Sequence, residues 1–175
     1  AKMLVDPDRG GAGSITAGCL EDEVRSLASD VLDDGTPCVE TWDLTGDDDV
    51  WGLGVGCNGV ITVLLEPLDG TYRPVVDARL AGEPIGVATV VGSAGDAPAS
   101  LGDRAYYRPG EGYGDGLPDA VRDALVDSTE TLVADGGGET LAVDLADGTV
   151  EVFVEGIRPP PELVVFGTGH DVGPV

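Results

Sequence analysis

Apolar positions along the chain change period several times, and each change marks an element. The opening stretch AKMLVDPDRGGAGSI holds two short apolar runs around an Asp-Pro, glycine-rich turn, which predicts two short strands. From Leu20 the spacing becomes helical. Leu20, Val24, Leu27, Val31 and Leu32 share one face, while Glu21, Asp22, Glu23, Arg25 and Asp30 lie elsewhere. Gly35 and then Pro37 end this helix at Asp34, because glycine accepts the left-handed turn and proline cannot continue a helix.

CVETWDL then reads as a strand, TGDDDVWGLGVGCNG as an acidic loop passing into a glycine-rich one, and VITVLLEPL as a β-branched strand closed by Pro67. PIGVATVVGS and DRAYYR read as further strands. After a glycine-rich loop between Gly110 and Leu117, the positions Leu117, Val121, Leu125 and Leu132 mark a second helix with Pro118 in its first turn. ETLAVDLADGTVEVFVE is a hairpin turning around Ala146, Asp147 and Gly148. The prolines of IRPPPE favour an extended, semi-rigid linker.

The expected organisation is a domain over 1–157, a proline-rich linker over 158–162, and the first strand and glycine turn of a truncated Rossmann domain over 163–175. Both ends read as cut. The expected fold class is α+β: a mixed or mostly antiparallel sheet with two covering helices.

Composition adds one strong feature. Thirty-three acidic residues face nine basic ones, a formal charge of -24, and Lys2 is the sole lysine. Such a chain repels nucleic acid and anionic membranes, so neither is an expected partner. The acids are spread over the whole length, which predicts a halophilic surface whose self-repulsion is screened by counter-ions. Its melting temperature is therefore expected to rise from low salt to molar KCl; equal values contradict this. Three cysteines, Cys19, Cys38 and Cys57, do not make a disulfide framework, and no apolar run approaches the roughly 20 residues of a membrane span. A reducing cytoplasm is the expected location.

The candidate chemistry concentrates in two glycine–cysteine stretches. In GSITAGCLEDEV, Cys19 precedes a helix start, where amides and the helix dipole favour an anion, although Glu21 to Glu23 oppose one. The plainer reading is a buried structural thiol. In WGLGVGCNG, four glycines allow an amide nest and Trp51 can stack on a planar ring; the plainer reading is a turn feeding a buried strand. The cysteines have no CxxC pairing, and the one histidine, His170, lies beyond the prolines, which argues against a metal centre or a nucleophilic triad. In LVVFGTGH, a strand meets Gly167 and Gly169, as a dinucleotide fingerprint begins, but the third small residue and the helix are missing. Lys2 is either a solvated terminal residue or a point charge kept for an anion.

These stretches in this order resemble the XdhC/CoxI family, accessory factors that mature xanthine dehydrogenase and related molybdenum hydroxylases. Gly13, Ser14, Gly18, Cys19 and Glu21 match its first block, and Trp51, Gly52, Leu53, Gly54, Cys57 and Gly59 its second; PPPELVVFGTGHD resembles the entry to its Rossmann domain. Ala17 and Asn58 stand where the family more often has glycine.

The resemblance implies binding of molybdenum cofactor (molybdopterin), support of its sulfuration, and delivery to an apo-enzyme. The implied cofactor contacts are Lys2, Ser14, Gly18, Cys19, Glu21, Trp51, Gly52, Gly54, Cys57 and Gly59. Gly167, Gly169 and His170 are the implied remnant of a nucleotide site, the nucleotide belonging to the missing domain. Implied partners are the molybdenum hydroxylase apo-enzyme and a cysteine desulfurase; separately, the cut sheet edges at both ends make a second copy of the chain an expected partner, because an unpaired edge invites pairing. Two other readings stay open: a nucleotide-dependent oxidoreductase or nucleotidyl transferase acting through the missing Rossmann domain, and a docking domain without ligand.

Overall fold

The computed structural model describes residues 1–6, 9–16, 18, 20–44 and 59–161. Every strand pairing among them is antiparallel, so the α+β reading holds with an antiparallel rather than mixed sheet. β1 (Met3–Asp6) and β2 (Gly10–Gly13) form one hairpin, and β3 (Cys38–Asp43) and β4 (Val60–Leu65) a second ladder. The main sheet has five strands in the order β7 (Gly112–Tyr113), β6 (Arg104–Arg108), β5 (Ile85–Gly95), β9 (Gly148–Ile157) and β8 (Gly137–Leu145). The expected hairpin is the β8–β9 pair. β5 and β9 are matched from Ile85↔Ile157 to Gly95↔Gly148, with one irregularity between Val90 and Gly92.

Among the described residues three α-helices accompany these strands, not two. α1 (Glu21–Asp34) and α3 (Asp119–Asp135) are the expected pair. Leu20 and Pro118 cap their starts instead of lying inside the first turn, and Gly35 closes α1 in the left-handed conformation, its amide on the Val31 carbonyl at 2.9 Å. The unexpected helix is α2 (Arg73–Ala81), preceded by a 3₁₀ turn at Gly70–Tyr72. Its apolar periodicity does not track burial: Ala78 is buried while Val76 and Leu80 are exposed. The signals that do mark it are Pro74 in its first turn and Gly82 as a left-handed cap.

Alternation along β5 explains the layering. Ala88 and Val90 face α3, packing with Val121 and Leu125 of that helix and with Val150, Val152 and Val154 of β9. The other face carries Val87, Thr89, Arg104, Tyr106 and Glu155; Arg104 and Tyr106 meet residues 66–72 and Glu155 meets Lys2. The central strand is thus covered on both sides, which is why Ile85 through Val90 are all buried.

A second, smaller core joins the N-terminal elements. Leu20, which caps α1, and Val24 and Val31 of that helix pack with Leu65 of β4, flanked by Met3, Trp42, Leu44 and Ile61. Leu32, assigned to the apolar face of α1, is exposed, because the helix contacts its neighbours along a strip narrower than the sequence pattern. β9 ends at Ile157 and residues 158–161 are in neither helix nor strand; the expected Rossmann remnant at 163–175 lies outside the described residues.

Candidate functional site

The first glycine–cysteine stretch leaves β2 at Gly13 and enters α1 at Glu21. Gly13 has φ +86°, and a Cβ there would overlap the Lys2 carbonyl across the hairpin. Gly18, with φ +107°, makes the other glycine-only turn of the loop.

Between them the chain is organised by one carboxylate. Glu21 is only 8% exposed. Its Oε1 accepts from the Ser14 hydroxyl at 2.7 Å and the Thr16 amide at 2.9 Å. Its Oε2 accepts from the Thr16 hydroxyl at 2.8 Å and the Leu20 amide at 3.3 Å. The Thr16 hydroxyl oxygen also accepts from the Leu20 amide, at 3.1 Å. The Ser14 hydroxyl lies within reach of the Thr16 carbonyl as well, so its single proton is shared between two acceptors. The hydrogen bond from Ser14, followed by those from Thr16, outweighs burial and holds the Glu21 pKa at about 2.

That depression has a definite sign. Glu21 contributes fully to stability above its ordinary value of 4.5, and the contribution is lost as pH falls toward about 2. Glu21→Gln is expected to flatten the acid limb of the stability curve across this window in urea unfolding; a limb identical to wild type contradicts it.

The other described candidates are placed as follows. Lys2 Nζ pairs with Glu155 Oε1 at 2.5 Å, tying the chain start to β9 in the main sheet. The Gly59 carbonyl accepts from the Leu44 amide at 2.9 Å, closing the base of the second glycine–cysteine stretch just beyond the Asp43↔Val60 pair. Cys38, outside both stretches, is half-buried beside the small core, and burial together with Glu40 pushes its thiol pKa up, as for a structural cysteine. Cys19, Trp51, Gly52, Gly54, Cys57, Gly167, Gly169 and His170 lie outside the described residues.

Described residues near both stretches share one core: Leu20, which follows Cys19 in sequence, is in the small core, and Leu44, the last described residue before the acidic loop that leads to Trp51, packs against it. Thr16 is a member of this site that the motif reading missed. The available signal was a pair of hydroxyls, at 14 and 16, ahead of the first helical acid.

Residues 1–43 match the family model described as the XdhC and CoxI family. Over this N-terminal quarter the chain is similar to that family. The match contains Ser14, Thr16, Gly18 and Glu21, and so covers the whole carboxylate-centred loop. Over its full length the chain is 28% identical to a Bacillus subtilis protein named as a probable subunit of xanthine dehydrogenase, and it spans 49% of that protein. It also resembles a solved chain described as a xanthine dehydrogenase from Bacillus halodurans. The TM-score is 0.52 and the identity 29%, over 68% of this chain and 36% of that one. The chain therefore spans about half the curated relative it matches.

Proposed function

We propose that the protein is an accessory factor for xanthine dehydrogenase or a related molybdenum hydroxylase. It binds molybdenum cofactor, supports its sulfuration and hands it to the apo-enzyme. The observation that supports this reading is that Leu20, next to Cys19 in sequence, and Leu44, ahead of the second stretch, belong to one small core. The family-model match over residues 1–43 and the names of both relatives support the same enzyme system.

The described residues fit the cofactor in part. Lys2 is well exposed, and its ammonium uses one of three donors on Glu155, which leaves two for a phosphate. The amides of Thr16 and Leu20, by contrast, are engaged by Glu21. Contacts to pterin and metal would fall to Cys19, Trp51, Gly52, Gly54 and Cys57. The bound cofactor supplies the redox chemistry of the hydroxylase, and the protein supplies binding and shielding.

Disrupting the gene in the host is the test. Xanthine dehydrogenase polypeptide is expected to accumulate without sulfurated cofactor, with activity restored by the intact gene. A fully active enzyme in the disrupted strain contradicts the proposal. Because both relatives bear the enzyme's own name, the mature enzyme should also be weighed for this chain: an accessory factor is absent from it, whereas a structural component stays at fixed stoichiometry.

A further inference from the structure

We propose that Glu21 is a positioning residue: its carboxylate takes the place of a bound anion at the start of α1 and fixes Ser14, Thr16 and Leu20 relative to one another. The functional consequence rests on the accessory-factor reading; the geometry does not. Of the three consecutive acids in the first turn, Asp22 and Glu23 are exposed and only Glu21 is turned inward. A helix start leaves amides without partners and attracts negative charge. Here Leu20 itself offers no side-chain cap. The Glu21 carboxylate instead accepts from two amides and two hydroxyls spread from Ser14 to Leu20, the Leu20 side chain is anchored in the small core, and Gly18 makes the turn between.

Two consequences follow from a tethered carboxylate. An external phosphate at this point would compete with a group already held in place, and would meet its like charge. The α1 terminus is therefore not the anion site that its position suggests. Ser14, Thr16 and Leu20 are also held in place before any ligand arrives, which lowers the cost of binding beside them.

The test uses full-length protein and follows amide exchange at Thr16 and Leu20. Losing a hydrogen bond to a charged group is expected to speed exchange at both amides by about tenfold or more in Glu21→Gln, with α3 and the main sheet unchanged. Molybdopterin affinity is expected to fall in the same variant and to be largely restored in Glu21→Asp. Inorganic phosphate is expected to leave both wild-type amides unmoved. Unchanged exchange in Glu21→Gln, undiminished molybdopterin affinity, or a phosphate-dependent shift at these amides overturns the proposal. If Glu21→Gln does not fold, Ser14→Ala keeps the carboxylate and removes one of its donors without touching the Leu20 amide; faster exchange at Leu20 supports the proposal and unchanged exchange overturns it. If wild type does not bind molybdopterin, the accessory-factor reading fails, and the positioning role stands or falls on the exchange data alone.

Discussion

Arg104→Met is expected to cost about 3 kcal/mol of unfolding free energy, as breaking a buried ion pair from one side does. Arg104 sits on β6, and its side chain is 6% exposed; that of its partner Glu66, just after β4, is 15% exposed. The guanidinium donates to both Glu66 oxygens, at 2.7 and 2.5 Å, and to the Thr71 hydroxyl at 3.1 Å. It also lies over the Tyr72 ring, 4.3 Å from the centroid. Tyr72 in turn donates its hydroxyl to Glu66 at 2.5 Å, and burial followed by the neighbouring carboxylate pushes its pKa up, so it remains a donor. Removing Arg104 leaves a buried carboxylate with the Tyr72 donor but without its counter-charge, at the seam between the main sheet and residues 66–72. In Arg104→Met/Glu66→Leu both charges are gone, and most of the loss should be recovered. Urea unfolding reads both variants. A single-variant loss under about 1 kcal/mol, the scale of a surface pair, contradicts the assignment. Being buried, this contact should persist in high salt, unlike the exposed pair of Lys2 with Glu155.

Gly156→Ala is expected to be of similar size, about 3 kcal/mol, the upper end of overpacking costs. Gly156 pairs with Gly86 on one side and Gly137 on the other, so three glycines form a row across the sheet. The C-terminal half of α3 rests on this row. A Cβ at Gly156 would overlap the Leu132 carbonyl and come within 2.6 Å of the Val133 amide nitrogen; one at Gly86 would come within 2.5 Å of Thr129 Cγ2. The obstacle at Gly156 is helix backbone, which moves only if α3 lifts off the sheet. Gly70→Ala is the control: open space surrounds it and its φ is not positive, so a change within about 0.5 kcal/mol is expected. Thermal unfolding of the two variants compares them directly, and equal stability refutes the seat.

The elements read correctly from sequence are those where local pattern and burial agree. α1 keeps its apolar strip and its glycine cap, and the β8–β9 hairpin alternates cleanly, because each packs on one face. α2 is hard to read because its nine residues are too few for a clear period and its buried position is Ala78 while Val76 and Leu80 are exposed. The Arg104–Glu66 contact joins residues 38 apart, and no local pattern encodes such a distance. In the candidate site, the motif marked Ser14, Gly18 and Glu21 but not their geometry. Three consecutive acids look equivalent in sequence, and only the fold shows that Ser14 and Thr16 draw Glu21 inward while Asp22 and Glu23 stay in solvent. The Arg104 seam and the glycine row carry no motif at all, since they serve packing between elements rather than any one element.

The accessory-factor reading turns on whether the protein holds the cofactor. Full-length protein purified anaerobically from its host, analysed for molybdenum and for pterin fluorescence, is predicted to carry both in stoichiometric amount, and Cys19→Ala/Cys57→Ala to carry much less. Protein free of both, and unable to take up molybdopterin added in vitro, would contradict it.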